Sequence, residues 1–332
     1  METVFITGAN GFIGANLCRF FLKKNFSVHG LVRKTSDLHF LEGLDVKLVY
    51  GDLSEVEKIN LPENMDYVIH CASEVSDTAD KKSCEINICE ATENFVNHIM
   101  SSNIRLKKFI YISTALVLGY KKLNISEENP GKAANLPYVQ SKIKTEAYLL
   151  EVHKKKGLPL VILRPADVYG PYDRTSCVPI VKGLENGLPP IVSGGKWIFP
   201  LCYVDNLSLA TYLACITQNI EGNAYTVTNG SDVTWKEFFS VILKRINKKQ
   251  RFYIPKFTPF AVAFLSKIIH FFVPSFEPSL TYYRAKRITS HTNYDISRTI
   301  KDLGYSPDTD AEKQFNAIMD WYLAEQKSGY IE

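Results

Sequence analysis

The sequence predicts an α/β protein, a doubly wound parallel sheet followed by a smaller C-terminal lobe. Three observations predict it. Short, almost continuous apolar runs alternate with amphipathic stretches through the first half, a glycine-rich turn follows the first run, and the rhythm loosens after Gly170-Pro171. The 332 residues suit about two units. The expected boundary divides 1–170 from 171–332, with some segments crossing between the lobes.

In chain order, residues 4–7, 28–32, 46–50, 67–70, 109–113 and 160–164 read as strands buried on both faces. Residues 12–24, 83–102 and 137–156 read as the intervening helices, which makes the crossovers right-handed and puts ligands at the carboxyl ends of the strands. Beyond Gly170 come Pro/Gly-rich loops, including Gly187-Leu188-Pro189-Pro190, and helical patterns at 205–217 and 234–246. The apolar stretch 257–273 falls short of about 20 residues and carries Lys267 and His270. It is expected to be a helix in the core or capping an apolar ligand, with a membrane-surface role as the less favoured alternative.

Composition excludes several classes. With 45% hydrophobic and 22% charged residues, the chain is neither disordered nor fibrous. A net charge of +4 spread over many segments gives no nucleic-acid footprint. The seven cysteines, Cys18, Cys71, Cys84, Cys89, Cys177, Cys202 and Cys215, show neither a C-x-x-C pair nor zinc spacing, so no metal is expected. The N-terminus lacks a signal-peptide pattern, and the expected compartment is the cytoplasm.

The chemistry starts at Thr7-Gly8-Ala9-Asn10-Gly11-Phe12-Ile13-Gly14, between the first strand and the first helix. Small residues let the backbone turn tightly, and the helix start offers unpaired N–H groups to a pyrophosphate. Gly8, Asn10, Gly11, Phe12, Ile13 and Gly14 are therefore candidate binders; the plain alternative is a glycine-rich turn. Further on, Tyr138-Val139-Gln140-Ser141-Lys142 puts a phenol and an ammonium on one helix face, where the cation stabilises tyrosinate and lowers a pKa of about 10.

Together, the Gly-x-x-Gly-x-x-Gly spacing, Tyr138-x-x-x-Lys142 and the strand-ending Ser113-Thr114 resemble the extended short-chain dehydrogenase/reductase superfamily, the NAD-dependent epimerase/dehydratase family. The resemblance implies a Rossmann-type fold and an enzyme. It assigns Tyr138 as acid/base, Lys142 to the phenol and the nicotinamide ribose, and Thr114 to the reacting oxygen, with Ser113 as runner-up. Asp52 and Leu53 after the third strand, Cys71, Ala72 and Ser73 after the fourth, and Pro165 and Val168 in Arg164-Pro165-Ala166-Asp167-Val168-Tyr169-Gly170-Pro171 match its cofactor-contacting segments. Asn87 matches its relay asparagine, although Glu90 stands where a glycine is usual.

Arg33 at the end of the second strand suits a 2′-phosphate, so NADP(H) is preferred and NAD(H) stays open. Ala115-Leu116 replaces the acid pair of sugar-nucleotide dehydratases, and Phe199-Pro200 replaces a charged pair ahead of Tyr203-Val204-Asp205-Asn206. The tail, with Glu277-Pro278-Ser279-Leu280-Thr281, Ser290-His291-Thr292-Asn293-Tyr294-Asp295-Ile296-Ser297-Arg298 and Leu303-Gly304-Tyr305-Ser306-Pro307, resembles the 3β-hydroxysteroid dehydrogenase-like group. The expected reaction is interconversion of a secondary alcohol and a ketone on a hydrophobic small molecule of the 3β-hydroxysteroid or β-keto acid type. A nucleotide-sugar epimerase or reductase is the alternative. The resemblance also implies a homodimer through helices 83–102 and 137–156.

Overall fold

The computed structural model describes the whole chain except residues 76, 103, 188–190, 250–252, 274, 277–279 and 332. The Leu188-Pro189-Pro190 loop and the Glu277-Pro278-Ser279 part of the tail motif lie outside the described residues.

The first half alternates strand and helix: β1 (Thr3–Thr7), α1 (Phe12–Lys23), β2 (Ser27–Val32), β3 (Val46–Tyr50) and β4 (Tyr67–His70). A long helical run then passes through α2 (Lys81–Cys84), a π-helical turn at Glu85–Glu90 and α3 (Ala91–Ser101). β5 (Lys108–Ile112), α4 (Pro137–Lys156) and β6 (Leu160–Pro165) complete it. Among the described residues, the main sheet has seven strands, all paired in parallel, in the order Ala224–Val227, β6, β5, β4, β1, β2, β3. Its seventh strand comes from the second half of the chain.

The apolar runs are continuous because alternate residues enter two different cores. Val4, Ile6, Ile110, Ile112, Val161 and Leu163 face the core containing Leu17 and Phe21 of α1 and Leu207 and Ala210 of helix Val204–Ile216. Phe5, Phe109, Tyr111, Leu160 and Ile162 face Phe95 and Ile99 of α3 and Leu149 and Val152 of α4. Burying each such side chain stabilises the fold by roughly 1.5–3 kcal/mol. The strand order reverses between β1 and β4, which opens a crevice at their carboxyl ends.

Short strand pairs and helices build the second lobe. Asp167–Tyr169 pairs with Leu201–Tyr203, and Ile198–Phe199 with Val233–Thr234. The fully buried Asn229 ties them down. Its Oδ1 accepts from the Tyr203 N–H at 2.7 Å and the Asn206 amide at 2.9 Å, while its Nδ2 donates to the Tyr169 hydroxyl at 2.9 Å. The stretch expected to be core or cap forms helix Thr258–Phe272, but most of its large side chains are exposed and its buried residues are Pro259, Ala263 and Ser266. No helix among the described residues is long and apolar enough to cross a membrane.

Candidate active site

β1 ends in Gly8, whose φ of +67° is the left-handed region that glycine tolerates. A Cβ on Gly8 would lie 3.0 Å from the Ala72 backbone, and one on Gly14 would lie 2.1 Å from the Gly8 carbonyl oxygen. The glycines therefore let the start of α1 close onto the strand end. The Gly11 N–H donates to the Gly8 carbonyl at 3.0 Å, and Gly11 caps α1 without a side chain or an acidic residue in the first turn. The backbone donors of Phe12, Ile13 and Gly14 thus start a helix in the crevice with its positive dipole end unmasked. This donor set fits a dinucleotide pyrophosphate.

The loop after β4 is bonded to the same turn. Thr7 Oγ1 accepts from the Ala72 N–H at 3.1 Å and hydrogen-bonds His70 Nδ1 at 2.9 Å, and His70 Nε2 meets Thr92 Oγ1 at 3.0 Å. Burial, aided by the Lys142 charge, pushes His70 down to about 3, so the ring is neutral. Cys71 donates to the Thr7 carbonyl, and burial pushes its thiol up to about 12. Ser73 donates to the Glu74 carbonyl at 3.1 Å.

At the far end of the crevice, Arg33 is exposed on the turn after β2, and Ser36 closes that turn by accepting from the Arg33 N–H at 3.2 Å. Asp52 accepts from the N–H and hydroxyl of Ser54, and Leu53 packs on the α3/α4 core. Asn10 donates to the Asp37 carbonyl at 3.4 Å. The Asp37 carboxylate is already engaged, by the Tyr330 hydroxyl at 2.5 Å and Arg174 at 3.1 Å, and these partners hold its pKa below the usual range.

The proton-handling groups meet where β5 ends. The Thr114 hydroxyl faces the Tyr138 phenol closely enough to favour its ionised form, but burial outweighs this and raises the phenol to about 12. Lys142 lies one turn along α4, its ammonium 6.0 Å from the Tyr138 ring centroid and donating to the Ile112 carbonyl at 2.9 Å. Burial lowers Lys142 to about 8. The expectation that Lys142 lowers the phenol is therefore not met in this structure, because desolvation dominates and the ammonium is directed at the backbone. Ser113 is committed elsewhere: it donates to Glu146, which Arg164 grips with its Nε and a terminal nitrogen while reaching Glu127 at 2.9 Å. Thr114 is left as the hydroxyl beside the phenol.

Asn87 is not brought to this group. It is exposed on the π-helical turn and donates to Ser83 at 3.1 Å and Glu74 at 3.4 Å. Pro165 ends β6, and Val168 lies in the short strand beyond it. The sequence pattern missed Tyr283, on helix Tyr282–Arg287: its hydroxyl is buried without a partner among the described residues, its ring lies 5.5 Å from that of Tyr120, and Tyr138 influences its ionisation. No motif in the sequence signals it. Arg284 and Thr281 of the same segment bind Asp77 from the loop after β4, so the second lobe closes over the site.

Known proteins share this arrangement. The chain is 24% identical over 344 residues to a decarboxylating sterol-4-alpha-carboxylate 3-dehydrogenase of Candida albicans, covering 97% of both chains. It is 28% identical over 322 residues to a 2-alkyl-3-oxoalkanoate reductase of Shewanella oneidensis, covering 91% of this chain and 81% of that one. Its fold is similar to that of UDP-glucuronic acid 4-epimerase from Bacillus cereus in complex with NAD, with a TM-score of 0.77, 23% identity, and coverage of 97% and 99%. Residues 4–228, from the first to the last strand of the main sheet, match the NAD dependent epimerase/dehydratase family. The protein thus belongs to that family and is an enzyme of the extended short-chain dehydrogenase/reductase type.

Proposed function

We propose that the protein reduces a ketone, reversibly, to a secondary alcohol on a largely hydrophobic substrate of the 3β-hydroxysteroid or β-keto acid type. The observation that carries this reading is the meeting of the Thr114 and Tyr138 hydroxyls at the end of β5, with Lys142 on the same helix. A nicotinamide nucleotide, when bound, supplies the hydride. Gly8, Asn10, Gly11, Phe12, Ile13 and Gly14 would hold its pyrophosphate, Arg33, Asp52 and Leu53 its adenosine end, and Cys71, Ala72, Ser73, Pro165, Val168 and Lys142 its nicotinamide end. A phenol raised to about 12 keeps its proton at neutral pH, so Tyr138 is set as a donor to the substrate oxygen that Thr114 orients.

NADP(H) is the preferred carrier and NAD(H) the alternative. Arg33 stands exposed at the strand end, and the Asp37 carboxylate that could have accepted ribose hydroxyls is already bound by Tyr330 and Arg174. The substrate class is supported by the two relatives named for a sterol carboxylate and an oxoalkanoate. It is also supported by buried Ala115 and by Phe199, stacked on Trp235 at 3.9 Å, at positions where sugar-nucleotide enzymes carry charges. Seven unpaired cysteines suit a reducing compartment such as the cytoplasm.

The test is NADPH oxidation against steroid ketones, β-keto acids and sugar nucleotides. Tyr138→Phe is expected to keep NADPH binding and lose turnover by roughly 10²–10⁴-fold; full activity would remove Tyr138 as the acid. Isomerisation of a sugar nucleotide without net NADPH consumption would establish the epimerase alternative instead. Arg33→Ala is expected to weaken NADPH about tenfold, with NADH little changed.

A further inference from the structure

Helix Thr258–Phe272 is inside out for a water-soluble surface. Its buried positions, Pro259, Ala263 and Ser266, are spaced four and three residues apart and form one narrow inner stripe of small side chains. The large side chains stand outside: Phe264 is 65% exposed, Phe271 78% and Phe272 75%, with Phe257, Leu265, Ile268 and Ile269 also exposed. A contiguous apolar face of this kind marks a surface made to be covered.

Charge identifies what covers it. Residues 253–276 contain no Asp or Glu, while Lys256 and Lys267 stand exposed on that stretch. Lys286, from the helix packed alongside, and Lys121 extend the cationic rim. Burial lowers Lys121, and Lys286 and Lys256 lie close enough to lower it further. Exposed Tyr282 packs against Phe260 with ring centroids 5.4 Å apart and carries the Lys286 ammonium 4.4 Å above its ring. Apolar and aromatic side chains ringed by lysines match the boundary between acyl chains and anionic headgroups. A second copy of the chain is the poorer occupant, since a two-fold contact would bring lysines onto lysines with no carboxylate from the segment to pair them. The helix has 15 residues, about 22 Å at 1.5 Å per residue, too short for a hydrocarbon core of about 30 Å.

We propose that helix Thr258–Phe272 is an interfacial anchor that lies flat on an anionic lipid surface. It rests on this surface alone and does not depend on the reaction proposed above.

Flotation of the full chain with vesicles tests it, using phosphatidylcholine alone and phosphatidylcholine with roughly a third phosphatidylglycerol. The chain is expected to float with the anionic vesicles at low salt and to float less with the neutral ones or at high salt. Replacing Phe264, Phe271 and Phe272 together by Ser should cut the bound fraction about tenfold or more. An unchanged far-UV spectrum and melting temperature would show that the fold survives. Lys256→Glu with Lys267→Glu should abolish the preference for anionic lipid. A chain that stays unbound with both vesicle types at low salt, or a triple variant that floats as well as the parent, overturns the proposal. So does a dimer in solution that the triple variant turns into a monomer without any vesicle binding, because the face would then belong to a second copy.

Discussion

Lys142 shows what a reactive residue costs its own fold. It is 2% exposed, and burial holds its pKa at about 8 against an ordinary value of 10.5. Between those two values the unfolded chain binds more protons than the folded one, so this group makes stability rise with pH across that window. Below it, the folded protein carries a buried charge at full cost. Lys142→Met is therefore expected to abolish turnover yet flatten the rise in urea-unfolding free energy between about pH 8 and 10.5. The slope removed is at most about 1.4 kcal/mol per pH unit. Parallel pH profiles for parent and variant would mean that the ammonium is better solvated than its burial implies. The sequence set Thr114 and Ser113 side by side and did not separate them. They are separated by Glu146 and Arg164, which take up Ser113 from 33 and 51 positions further along the chain.

Among elements, the strand–turn–helix unit at the N-terminus is the most sharply constrained. A methyl group at position 14 would lie 2.1 Å from the Gly8 carbonyl, and the obstacle is backbone rather than a movable side chain. Gly14→Ala is therefore expected to displace the start of α1, weakening NADPH by tenfold or more and destabilising the protein by about 1–3 kcal/mol. Titration calorimetry and thermal unfolding would measure both, and unchanged affinity would contradict the pyrophosphate assignment. The strands of the main sheet were legible because burial on both faces writes a continuous apolar run, as in Val46–Tyr50 and Tyr67–His70. β5 starts one residue before its apolar run, at buried Lys108, whose partner Glu221 lies too far along the chain to be paired by inspection. The π-helical turn was not legible. Residues 83–102 read as one regular helix, and the wider turn at Glu85–Glu90 rotates the succeeding α3 residues and leaves Asn87 facing solvent. Helix Thr258–Phe272 was legible as a helix, but periodicity does not say which side is covered.

Over the whole molecule, the two halves of the sequence are not two separable bodies in the sheet. The Ala224–Val227 strand adds to β6, and Asn229 immediately beyond it binds residues from both halves. The lobes meet again over the site through Asp77 and Arg284. The composition break at Gly170 marks where the alternation of strand and helix stops, but it does not mark where the sheet ends. Only the register of a strand some sixty residues later shows that, and nothing local in the sequence announces such a partner.

That late strand sets a hazard during synthesis. Until residue 227 has emerged from the ribosome, Leu160–Pro165 is a bare sheet border of Leu, Val, Ile and Leu, open to strands of other nascent chains. A fragment ending at residue 170 is expected to precipitate on expression, and one extended to residue 230 to stay in the supernatant after centrifugation. Equal solubility of the two fragments would show that the border is protected by some other means.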